Sequence, residues 1–314
     1  MLKYLVILLA DNSISYCHYN NDSEPKMISV EILQKGIMFA MKNDLKIQYV
    51  LPKTNLPQKY YDLINSMFHD IIGPIEQSDI SDVVVVNGFK ELQSYNDILR
   101  PDIRYVLRTS VIDFFDNYNI IKNLFRKGIS ANVVFTDVEN FTDKKIKKYQ
   151  EVLGDLGQNI IDCILSGHSV NTNLLTDRIA LEEMNNCGAG DTTITLAPNG
   201  VFYPCPAFYY SKIPYFELGD VETEMTIRNK KLFSLECSPL CRRCDAFHCK
   251  RCVWLNKKMT YEVNVPSRQQ CVMAHVERNA SKDLLDALHK LNILAEKEIE
   301  SINYLDPFDE YQSV

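Results

Sequence analysis

Positive charge is in short supply in this chain of 314 residues. Lys and Arg number 34 against 41 Asp and Glu, giving a formal net charge of −7 and a pI near 5.5. A surface that neutralises phosphates needs a large excess of Lys and Arg, so the balance argues against nucleic acid as the main partner. The one locally basic stretch, Arg228 to Lys258, runs through a group of cysteines. There the cations can offset the negative charge of metal-bound thiolates.

Long apolar runs are missing too. Tyr4 to Ala10 is apolar but halts at Asp11 and Asn12. That is too short to span a bilayer and has no small-residue cleavage site, so it reads as a buried first strand. The chain is therefore expected to be cytosolic, with no membrane partner. It contains neither Gly-x4-Gly-Lys-Ser/Thr nor Gly-x-Gly-x2-Gly, so nucleotide binding of the usual kinds has no support. Internal repeats and low-complexity tracts are absent as well.

Short apolar runs alternating with amphipathic ones occupy the first 180 residues. Lys3–Ala10, Lys46–Leu51, Asp82–Val86, Tyr105–Arg108 and Asn132–Thr136 read as strands. Ser29–Lys42, Lys59–Phe68, Val111–Lys127 (capped by Gly128) and Lys144–Leu156 read as helices. Strands alternating with helices imply an α/β domain over 1–180, either a partial (β/α) barrel or an open parallel sheet. Residues 181–275 form a small cysteine-rich metal-binding domain in which helical periodicity disappears. From Ser281 the periodicity returns through Leu284, Leu285, Leu288, Leu291, Leu294 and Ile299, so 276–314 is a C-terminal helix with an acidic tail.

Cysteine is where the chain is rich. Eight of its ten cysteines lie between Cys187 and Cys271, around the run Cys241-x2-Cys244-x4-Cys249-x2-Cys252. In a reducing compartment clustered thiols serve metal or redox chemistry rather than disulfides. Two residues between thiolates let both sulfurs turn onto one metal, the reason Cys-x2-Cys recurs in zinc and iron–sulfur sites alike. Upstream, Thr193–Ala197 and Val201–Cys205 flank Pro198-Asn199-Gly200, a hairpin signal that brings Cys187 and Cys205 to one end. Two four-thiolate zinc sites, or one such site with spare thiols, remain the alternative. His248 could replace a cysteine in a zinc site or be a polar loop residue.

Cys187, Gly200-x4-Cys205, the four-cysteine run and the distant Cys271 together resemble the SPASM domain of radical S-adenosylmethionine peptide-modifying enzymes. The run is tighter than that pattern by one residue in each of its last two gaps. The resemblance implies two [4Fe–4S] clusters, one on Cys187, Cys205 and Cys252, the other on Cys241, Cys244, Cys249 and Cys271. The first lacks a fourth cysteine, and Asp191, Cys237 or Cys163 could complete it, or the site could be open.

With the opening KYLVILLADNSISYCHY and the stretch Asn132–Tyr149, the whole chain resembles the CXXX repeat peptide maturase family. That likeness implies a role in maturing a ribosomally made, cysteine-rich precursor peptide, whether by binding it, modifying it or presenting it to a separate radical S-adenosylmethionine enzyme. A zinc-stabilised binding module is the reading without redox chemistry. Such enzymes carry Cys-x3-Cys-x2-Cys after the first strand, whereas Asp11 to Asn21 holds Cys17 alone. The chain by itself therefore lacks the radical-generating motif. Cys17 and His18, adjacent on an extended segment, would point to opposite faces and read as core and surface residues. Asp137 and Glu139 share a face at a strand's C-terminal end, where α/β folds place their sites, and are candidate substrate contacts.

Overall fold

The structure, a computed structural model, describes residues 1–223 and 225–293. Its strands are β1 (Tyr4–Leu8), β2 (Lys46–Val50), β3 (His69–Pro74), β4 (Val83–Asn87), β5 (Arg104–Thr109), β6 (Ala131–Phe135), β7 (Thr193–Leu196) and β8 (Phe202–Tyr203). Its helices are α1 (Val30–Lys42), α2 (Gln58–Ile64), α3 (Gly88–Ser94), α4 (Val111–Asn117), α5 (Asn119–Arg126), α6 (Asp143–Leu165), α7 (Thr176–Ala180), α8 (Pro206–Tyr210), α9 (Val253–Thr260) and α10 (Arg268–Lys290). The result is an α/β fold whose eight-stranded sheet is mostly parallel.

Two compact units interleave along the chain. One comprises Met1–Val85 and Cys187–Ser238, the other Val86–Asn186 and the residues from Pro239 on. In the first unit β1 is central: it pairs in parallel with β2 on one side (Leu5 with Ile47) and with β7 on the other (Leu5 with Ile194). β3 and β4 extend the sheet beyond β2, and β8 returns antiparallel to β7. Leu5, Ile7 and Leu9 share a core with Ile47, Tyr49, Leu33, Ile37 and Leu196. Val6 and Leu8 are buried as well, so β1 is covered on both faces, as a near-continuous apolar run requires. α1 starts where Ser29 accepts the Ile32 amide, and its Gly36 lets the helix approach the sheet; a Cβ there would stand 2.4 Å from Leu196.

In the second unit β5 and β6 pair in parallel, Leu107 opposite Val133. An aromatic cluster fills its core: Phe135 lies 5.0 Å from Phe114, 5.1 Å from Phe141 and 5.7 Å from Tyr149, in edge-on arrangements.

The structure differs from the sequence reading at several elements. The sequence reading did not mark β3, which ends in Gly73-Pro74, or α3, which spans seven residues. The helix expected over Val111–Lys127 is interrupted at Tyr118, where Ile121 N–H reaches the Tyr118 carbonyl in a tightened turn. The cysteine-rich segment is not free of helices: α8 and α9 lie within it, and α10 begins at Arg268 rather than near Ser281, so Cys271 sits on a helix. Leu294 and Ile299, expected to continue the last helix, lie outside the described residues, as does the acidic tail.

Candidate metal centres

None of the ten cysteines is joined in a disulfide. The hairpin predicted around Asn199-Gly200 is present, with Gly200 at φ +81°, and it holds β7 and β8 in register. Cys187 opens a tight turn in which the amides of Asp191, Thr192 and Thr193 all bond the Gly188 carbonyl. Gly190 in that turn has φ +75°, and a Cβ there would stand 2.4 Å from the Phe233 ring. Asp191 pairs with Lys230 at 3.8 Å. Cys205 precedes α8, and the amides of Ala207 and Phe208 lie near its sulfur without making a capping hydrogen bond to it. Burial pushes the Cys205 thiol well above its ordinary pKa, the neighbouring Cys187 and Cys17 thiols push it further, and the two amides act the other way. Cys237 is exposed in the same unit.

The second unit holds the four-cysteine run. Cys241 begins a single 3₁₀ turn, and the Cys244 amide closes it on the Cys241 carbonyl at 3.1 Å. Cys244 Sγ receives the Ala246 amide at 3.5 Å. Burial pushes the Cys249 thiol up to about 12, with added effects from Cys244, Cys241 and Glu277, so these three thiols share one neighbourhood. Cys252 caps α9, its sulfur accepting the Leu255 amide at 3.4 Å.

Three contacts tie this run to α10. Cys244 Sγ lies 3.5 Å from His275 Nε2, Arg278 donates to Asp245 at 2.8 Å, and His248 Nε2 lies 3.0 Å from Glu277. Glu277 also accepts from Tyr149 at 2.6 Å. His248 is thus a buried residue held by a carboxylate, not a solvated loop histidine. Cys271 and His275 stand four residues apart on α10, hence on one helix face. The sequence reading passed over His275, Glu277, Arg278 and Tyr149; the Cys271-x3-His275 spacing was a signal for the first of these.

The remaining candidates lie elsewhere. Cys163 is buried on α6 in the second unit, where burial raises its pKa and Asp162 and Arg126 are the charges it feels. Asp137 accepts the Val111 amide and the Asn140 side chain, both at 2.8 Å, bracing the loop after β6. Glu139 pairs with Lys258. A cavity of about 550 Å³ in the first unit is lined by Asp11, Lys26, Asn199, Tyr203, Tyr209 and Tyr210, among others.

As donors the thiols suit a thiolate-bound metal or cluster, since amide N–H groups already bond the sulfurs of Cys244 and Cys252. No three His, Cys, Asp or Glu side chains among the described residues stand as a finished metal cage. No helix among them is long and apolar enough to cross a membrane.

No protein-family model matches the chain, and no curated protein matches it. Among solved structures the fold is similar to that of anSMEcpe, determined in native form with bound AdoMet and the Cp18Cys peptide. The TM-score is 0.62 at 12% identity, over 92% of this chain and 99% of that one. Streptococcus suis SuiB, bound to its precursor peptide SuiA, aligns over 71% of this chain and 63% of that one, at 11% identity and a TM-score of 0.38, too low to bear on the fold. The chain thus has the α/β fold of anSMEcpe along nearly its whole length.

Proposed function

We propose that this chain is a thiolate-ligated iron–sulfur protein in the maturation of a ribosomally made, cysteine-rich peptide, binding the precursor and assisting or performing its modification. The observation that carries this reading is the fold likeness, over 92% of the chain, to a protein whose structure holds AdoMet and the Cp18Cys peptide. Cys241, Cys244, Cys249 and Cys271 would hold one cluster in the second unit, with His275 beside Cys244. Cys187 and Cys205 would serve a second centre in the first unit. A bound cluster supplies electron relay, or an iron with an open position for a substrate ligand. The protein's own residues do the rest: amides oriented at sulfur and the Glu277–His248–Tyr149 group, with His248 and Tyr149 buried, hold the thiol segment in place. The tyrosine-lined cavity offers the peptide aromatic faces and, at Lys26 and Asp11, charges of both signs.

The presence of Cys17 alone between Asp11 and Asn21 favours a second reading, in which the chain presents the peptide to a separate radical enzyme. Protein prepared without oxygen, assayed for iron, zinc, sulfide and absorption spectrum, tests the cofactor. Iron and sulfide in equal amounts, near four or eight of each per chain, are expected for [4Fe–4S] clusters. Zinc without sulfide would leave a structural module. Calorimetric titration with a synthetic peptide of repeated Cys-x3 units tests the partner. Binding that a serine-substituted peptide does not reproduce is the expected result; equal binding of both would remove the cysteine-rich substrate. Turnover of that peptide by the isolated chain with S-adenosylmethionine and reductant would exclude the presenting role.

A further inference from the structure

The loop that leaves β1, which carries Cys17, is folded tightly on itself. Ala10 N–H donates to Ser13 Oγ at 3.0 Å, and Asn21 closes the loop by donating to the carbonyls of Asp11 and Ser13, each at 2.8 Å. Tyr19 of this loop stacks on Tyr210 with ring centres 5.4 Å apart, and Tyr209 donates to Asp11 Oδ1. The loop is thereby docked on α8, and both line the cavity of about 550 Å³ in the first unit. That volume is in the range of ligand sites, and Asp11 stands just beyond the C-terminal end of β1, where parallel α/β sheets place them. The charges of the cavity are sorted by depth. Glu24, Lys26, Lys212 and Glu217 are exposed on its rim, two of each sign, and cancel. Asp11 is half-buried and is the only charged group of the inner wall among the described residues; Tyr203, Phe208, Tyr209 and Tyr210 form the rest of that wall.

The three tyrosines of this wall are in contact. Ring centres of Tyr203 and Tyr209 are 5.4 Å apart, and those of Tyr209 and Tyr210 are 5.0 Å apart. Tyr209 keeps its proton, because burial and then the bond to Asp11 push its phenol pKa upward. A phenol that donates to a carboxylate gains electron density in its ring, which strengthens the pull of the ring face on a cation. Asp11 Oδ2 has no hydrogen-bond partner among the described residues, so the carboxylate is only half used. The buried Tyr210 hydroxyl has no partner either, a further unused acceptor in the wall. Contiguous aromatic faces around a half-used carboxylate suit an ammonium or guanidinium, which takes the carboxylate as counter-ion and the rings as walls. An anionic group would meet Asp11 with like charge.

We propose that this cavity is the subsite for a lysine or arginine side chain of the bound peptide, with Asp11 as its counter-ion and Tyr203, Tyr209 and Tyr210 as its walls. The proposal rests on the peptide-binding reading above. It adds a specificity to that reading: a cationic residue at one of the positions between the peptide's cysteines.

The test is calorimetric titration of the full chain with three reduced synthetic peptides of repeated Cys-x3 units. They differ at one x position, which is lysine, norleucine or Nε-acetyl-lysine. The lysine peptide is expected to bind about tenfold more tightly than the other two, the worth of one desolvated cation against rings and carboxylate. Asp11→Asn keeps the side chain's size and an oxygen for Tyr209, and should abolish that margin; Glu217→Gln on the rim should leave it in place. Proton spectra of the lysine peptide on the unmutated protein give a readout independent of variant folding: the lysine ε-methylene signal should move upfield, over the ring faces. Equal binding of the three peptides, a margin that survives in Asp11→Asn, or an unmoved ε-methylene signal overturns the cationic subsite while the peptide reading stands. N-acetyl-lysine methylamide binding as tightly as the lysine peptide would make the cavity a site for free amines and overturn the assignment to a peptide side chain. If none of the three peptides binds the unmutated protein, both readings fall.

Discussion

Tyr149 shows how much a single side chain in the second unit carries. Its ring is shared by Phe135 and Phe141, while its hydroxyl donates to Glu277, the same carboxylate that faces His248 beside Cys249. Burial, together with that carboxylate, holds the phenol well above its ordinary pKa, so it stays a donor across the working range. Tyr149→Phe keeps the ring and leaves Glu277 one donor short in a partly buried setting. The expected cost is about 1–3 kcal/mol by urea unfolding. An unchanged midpoint would mean that water replaces the hydroxyl. None of this network was legible from the sequence: Tyr149 and Glu277 are separated by 128 residues, and nothing in the local pattern of either names the other.

At the scale of elements, α6 and α10 repay attention. α10 starts where Ser267 accepts the Gln270 amide at 3.2 Å, and its first turn carries Cys271. Ser267→Ala removes that cap and should cost about 1 kcal/mol in thermal or urea unfolding. Hydrogen exchange should quicken in the first turn of α10, while α6 stays protected. In α6, Gly154 has open space where a Cβ would go and ordinary helical backbone. Gly154→Ala should therefore stabilise the protein by about 0.5–1 kcal/mol, the helix-propensity difference, as read from the unfolding midpoint. Destabilisation would show that the groove lined by Gly154, Gly157 and Ala280 needs its depth. Periodicity marked α1 and part of α6, because an amphipathic face repeats locally. It did not reveal the early start of α10, where polar residues precede the apolar stripe and the cap and packing decide.

For the whole molecule, the proposed metal centres should stiffen the segments that carry the thiols. Treating the metal-loaded protein with a strong chelator should speed amide exchange over Cys187–Thr192 and Cys241–Cys252. Amides of β1 and β2, buried on both faces of the sheet, should keep their protection. Uniform loss of protection would mean that metal and global stability are one transition, as in small zinc-dependent domains. The expectation of local loosening comes from the size of the apolar core around β1, which contains no cysteine.

The strands β1, β2, β4, β5 and β6, the Asn199-Gly200 hairpin and the concentration of thiols after Cys187 were all legible in the sequence. Each is a local signal: an apolar run, a turn dipeptide or a fixed spacing between like residues. Tertiary structure alone decided which segments make each compact unit, that the loop carrying Cys17 docks on Tyr209 and Tyr210, and that His275 meets Cys244. The reason is physical. A side chain's period tells which face it lies on, but its partner across the fold is chosen by packing between elements distant in the chain, and that choice leaves no mark in the neighbouring residues.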